Sequence, residues 1–126
     1  MNYSESGSNF LNEISKLIFE INHKMEENVA KFKEILAKSR TEADVSHALY
    51  DFQKNIHPYS CTQIGRKQLV IIFQNIWEIF ISIIQKYSSS TMVRVATFTV
   101  ASTFLIRMTP FFPFQIRQSF SYIVSN

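Results

Sequence analysis

The feature that most constrains this chain is a shortage: it has two glycines and three prolines in 126 residues. Tight turns between strands draw on those residue types, so a many-stranded fold has almost nothing to turn with. Runs of apolar residues at steps of three and four are plentiful instead, and such runs bury one side of a helix. The chain therefore reads as all-α, with four to five helices. A length of 126 residues suits one core, so the expectation is a disordered polar stretch over residues 1–8 and a single domain over 9–126. Twelve Phe and many Ile make that core one of bulky side chains, each of which must touch several neighbours.

Ser8 or Asn9 offers a cap for the first helix. From Leu11 the apolar row continues through Ile14, Ile18, Ile21, Met25, Phe32 and Ile35, with Asn28 as its break. Leu17, Val29 and Leu36 widen it beyond a two-stranded seam, which suits a helix laid on a bundle. Glu20 with Lys24, Glu27 with Lys31 and Glu34 with Lys38 mark the solvated side. Thr41 and Asp44 form a capping signature for a second, short helix carrying Val45, Ala48, Leu49, Phe52 and Ile56, and His57-Pro58 stops it. A third helix is expected from about Thr62 to Tyr87. Its polar residues form one narrow strip, and it holds Phe73, Trp77 and Phe80 among eight isoleucines, so it reads as the central element, with Trp77 largely buried and flanked by Phe or Ile from at least two other segments.

The stretch that follows, "STMVRVATFTVASTFLIRMTPFFPF", has two charges in 25 residues. A membrane span needs about 20 apolar residues in a row. Only twelve residues separate Arg94 from Arg107, and four of them are Thr or Ser, so membrane insertion fails on length. Its β-branched residues argue for a strand. The serines before Thr91 as a cap and Pro110 as a stop frame a helix-length span, and helix is the reading adopted for 93–106. A last helix is expected from Pro113, with Ile116, Phe120, Ile123 and Val124 on one side.

The run Met92-Val-Arg-Val-Ala-Thr-Phe-Thr-Val-Ala-Ser-Thr-Phe-Leu105, preceded by a long apolar helix and a short polar turn, resembles the second helix of a HEAT or armadillo-type repeat. Val93, Arg94, Ala96, Ala101 and Leu105 stand where that pattern has its Val-Arg, its alanines and its closing leucine, over residues 62–108. Ser and Thr replace the usual Asp before the Val-Arg, the first-helix proline is missing, and no second copy is visible. The resemblance implies a HEAT-like helical-hairpin stack, with an irregular bundle as the alternative. It also implies a scaffold that binds other macromolecules and has no chemistry of its own.

Other features set the functional classes. Residues 1–58 carry 7 Lys/Arg against 9 Asp/Glu, a balance of −2; residues 59–126 carry 6 against 1, a balance of +5. The second half is thus the buried part or a contact surface. Only Gly7 and Gly65 occur, too few for a phosphate loop, and no His pair has metal spacing, so no cofactor, metal or catalytic residue is assigned. Asp51, His57 and Cys61, near Arg66 and Lys67, form the sharpest enzymatic candidate, but turn and cap roles explain each of them. A lone cysteine and a polar N-terminus without an apolar segment point to an intracellular, cytoplasmic setting.

The function expected is a non-enzymatic protein-interaction module that docks a partner, or a second copy of itself, through an apolar helical face at Phe111, Phe112, Phe114, Ile116, Phe120 and Ile123. The alternative is an anionic membrane surface or nucleic acid bound by Arg66, Lys67, Lys86, Arg94, Arg107 and Arg117. Those cations are too scattered for a nucleic-acid stripe.

Overall fold

The computed structural model describes residues 3–108. The C-terminal helix expected from Pro113, and with it the docking face placed on Phe111, Phe112, Phe114, Ile116, Phe120 and Ile123, lies outside the described residues. What is described is helical: α1 (Tyr3–Lys38), α2 (Glu42–Ile56), a 3-10 turn (His57–Cys61), α3 (Gln63–Lys86) and α4 (Thr91–Met108). No strand occurs among the described residues, and the 93–106 stretch is helix throughout.

The helix ends follow local chemistry. Thr41 and Asp44 close a reciprocal capping box on α2. Thr62 caps α3 by accepting from the Gly65 N–H at 3.0 Å, and Ser90 caps α4 by accepting from the Val93 N–H at 3.3 Å. Pro58 follows the last residues of α2 and sits at the start of the 3-10 turn, where its missing N–H costs nothing. The start of α1 is different. It is already formed at Tyr3, so the cap expected at Ser8 or Asn9 falls inside the helix and part of the 1–8 stretch read as disordered is helical.

The packing is that of two hairpins laid side by side. α1 packs on α2 and α3, and α4 packs on the same two helices. Glu26 and Val29 of α1 line one cavity with Ile72 and Ile76 of α3, and further along both helices Leu36 lines the next with Ile79 and Ile83, so α1 and α3 run parallel. Val45 stands near Tyr87, just before α4 begins, and Gln53 bonds to Thr103 near its end at 3.1 Å, so α2 and α4 are also parallel. An up-and-down bundle would instead set α2 directly beside α3, whereas here those two lie across the diagonal. Here the 3-10 turn crosses one end of the molecule from α2 to α3 and packs on α2, α3 and α4.

One chain of aromatic rings joins all four helices. Phe32 of α1 stacks on Phe52 of α2 at 4.5 Å, Phe52 meets Phe73 of α3 at 6.5 Å, and Phe73 meets Phe104 of α4 at 5.0 Å. Phe80 closes the loop to Phe32 at 6.3 Å. Trp77 is buried as expected, at 7% exposure, but its ring lies edge-on to Phe80 of its own helix. Phe73 and Phe80, two turns apart on the inward side of α3, are where the rings of the other helices meet. The two halves of α3, Gln63–Gln74 and Ile76–Lys86, meet at a bend of 53°. No single helix among the described residues is long and apolar enough to cross a membrane; the halves of α3 satisfy that test only when joined across the bend.

Candidate docking surfaces

An exposed apolar surface on a helix needs a reason, because most soluble helices keep a polar side for water. Among its described side chains α4 exposes a single charge, Arg94. Val93, Ala96, Thr97, Val100, Ala101 and Phe104 are buried, while Met92, Val95 and Ile106 stand outward at 53%, 52% and 76% exposure. Its polar atoms do not compensate. The hydroxyl of Thr97 donates to the carbonyl of Val93 at 2.9 Å, that of Thr99 to Val95 at 2.7 Å, and those of Ser102 and Thr103 to Thr99 at 3.2 and 2.8 Å. Each donor is thus spent on its own helix, and between Arg94 and Ile106 the outer side offers methyl and methylene groups with few free donors. Phe98, at 43% exposure, continues the i, i+3 row of Met92 and Val95, and that spacing is the sequence signal for this side.

A second feature lies on the other side of the molecule, between the parallel helices α1 and α3. A cavity of about 300 Å3 is lined by Glu26, Val29, Ala30, Lys33, Ile72 and Ile76. Further along the same pair of helices, a cavity of about 360 Å3 is lined by Leu36, Ile79, Ile83 and Tyr87, with Val45 of α2 and the polar rim Glu78, Ser82 and Lys86. The Lys86 ammonium lies 5.5 Å from the centre of the Tyr87 ring.

Of the residues of the enzymatic candidate, His57 and Cys61 bound the 3-10 turn after α2. The Ser60 hydroxyl donates to the His57 carbonyl at 2.6 Å and faces the His57 Nδ1 at 3.3 Å, closing the 3-10 turn. Cys61 is exposed, and its thiol reaches only the same carbonyl, at 3.9 Å. Asp51 lies instead in the crevice between α1 and α2, beside Asn28, Lys31 and Phe32. Among the described residues no three or more His, Cys, Asp or Glu side chains converge to hold a metal.

The basic residues are dispersed. Arg66 bonds through Nε to the Thr62 carbonyl at the start of α3, beside the exposed Lys67, whereas Lys86 and Arg94 lie at the opposite end of the molecule. Arg117 lies outside the described residues.

No protein-family model, curated protein or solved structure matches the chain.

Proposed function

We infer that the chain is a non-catalytic docking module: two stacked helical hairpins of α-solenoid type, resembling a HEAT or armadillo-type repeat, that bind a protein partner on an apolar helical face. The observation that carries this reading is the outer side of α4, where Met92, Val95 and Ile106 are half or more exposed and the neighbouring hydroxyls are tied to their own backbone. Water gains nothing from such a surface, and covering it removes apolar area at about 25 cal/mol per Å2. The parallel pairing of α1 with α3 and of α2 with α4 supports the solenoid reading, since stacked repeats place like helices side by side.

The test is retention of a protein partner, or of a second copy, by the immobilised chain in high salt. Wild-type protein should hold it, because apolar burial is not screened. The double variant Val95→Asp, Ile106→Asp should release it while keeping the wild-type melting temperature, since both positions are solvent-facing. Equal retention by both proteins would place the docking face elsewhere.

A further inference from the structure

The groove between α1 and α3 has a chemistry of its own that does not depend on the outer side of α4. Its floor is apolar, from Val29 and Leu36 on α1 to Ile76 and Ile79 on α3. Its rim is charged, and the sign changes along the length. Glu26 stands at one end, Lys33 and Glu78 offset each other in the middle, and Lys86 stands at the far end. All four are exposed. The groove therefore has an acidic end at the level of Ile72 and a basic end at the level of Tyr87, with apolar contacts between.

We propose that this groove binds one amphipathic helix of a protein partner, antiparallel to α1 and α3, with acidic residues of its first turn at Lys86 and basic residues of its last turn at Glu26. Three features select that occupant. α1 and α3 run in the same direction, so a helix laid antiparallel in their groove sets each of its ends beside helix ends of opposite partial charge. Helices favour acids in their first turn and bases in their last, which matches the rim only in the antiparallel orientation. The distance from Ile72 to Tyr87 along α3 is about 22 Å at 1.5 Å per residue, enough for a partner helix of about 15 residues with an apolar stripe at i, i+4, i+7 and i+11. The chain's own residues 109–126 are the wrong occupant by sequence. They carry one charge, Arg117, in the first half of the segment, and no acid to face Lys86.

The probe is a helix-forming peptide of about 15 residues with a leucine stripe, Glu in the first turn and Lys in the last, compared with a counterpart whose charges are replaced by Gln. By fluorescence anisotropy in low salt, the charged peptide should bind wild-type protein about tenfold more tightly than the counterpart. Lys86→Glu and Glu26→Lys should each remove most of that advantage and leave the Gln peptide unaffected. Ala30→Arg, on an exposed wall of the groove, should weaken both peptides about tenfold with no change in melting temperature. Orientation is read by disulfide trapping in a Cys61→Ser, Ser82→Cys protein: a cysteine in the peptide's first turn should be trapped, and one in its last turn should not.

Absence of binding, an advantage indifferent to both charge variants, or trapping from the last turn would overturn the proposal. Val95→Asp with Ile106→Asp should leave peptide binding intact. Loss of binding there would move the site to α4 and would also sink the groove assignment, while leaving the α4 docking reading standing.

Discussion

Asp44 illustrates how much a single residue can fix. Its carboxylate accepts the backbone N–H groups of Arg40 and Thr41, each at 3.2 Å, and its own N–H donates to the Thr41 hydroxyl at 3.1 Å. The Arg40 N–H, then the Thr41 N–H and hydroxyl, favour the anion and hold its carboxyl below the usual carboxylate value. A depressed folded value means that the unfolded chain binds the proton more readily. The stability this group supplies is therefore present above the ordinary carboxylate pKa and is lost as pH falls through the lower folded value. Asp44→Asn should accordingly show a flatter decline of melting temperature on the acid side than wild type, measured by thermal scans across a pH series. Gly65 is fixed by space. A Cβ there would overlap the Tyr59 carbonyl oxygen of the 3-10 turn, and so Gly65→Ala should cost about 1–3 kcal/mol in denaturant unfolding. The sequence shows Gly65 only as a glycine near a cap; the close approach that requires it exists only once the turn is folded against α3.

Among the elements, ends were legible in the sequence and partners were not. Thr41, Thr62 and His57-Pro58 announced the limits of α2 and α3 because capping and the loss of an N–H are local effects. Replacing Thr41 by Ala should destabilise α2 by about 1 kcal/mol, read as a lower denaturant midpoint. The apolar row of α1 was legible too, but not its use. Met25 and Phe32 are buried, while Leu11 and Leu17 remain 63% and 45% exposed, since periodicity shows which side of a helix is apolar and says nothing of how far the neighbouring helices extend. The charge pairs behave similarly. Glu34 bonds to Lys38 at 3.0 Å as the spacing suggests, whereas Glu27 reaches His23 instead, at 3.0 Å. Either choice is open to exposed side chains on one helix, and neither is worth much.

At the scale of the whole molecule, the decisive property is that bulky rings from four helices meet in one core while α4, like the first half of α1, keeps large apolar residues exposed. Composition pointed to a core of large residues centred on α3, with Trp77 expected to meet Phe or Ile from at least two other segments. The rings of other helices meet at Phe73 and Phe80 instead, because these face inward where the stacked hairpins converge. Phe73→Ala should cost about 3–5 kcal/mol. Trp77→Phe should cost far less, since it keeps most of the buried ring and removes an indole N–H that has no partner among the described residues. Equal losses in the two variants would return Trp77 to the centre. The docking reading is tested most directly by light scattering over a concentration series with a hydrophobic dye such as ANS present. Wild-type protein should bind the dye and gain mass with concentration. Val95→Asp with Ile106→Asp should lower both at an unchanged melting temperature, leaving only the dye held by the exposed Phe10, Leu11 and Phe19 of α1. A wild-type monomer at every concentration, with no dye bound, would contradict an apolar face open for docking.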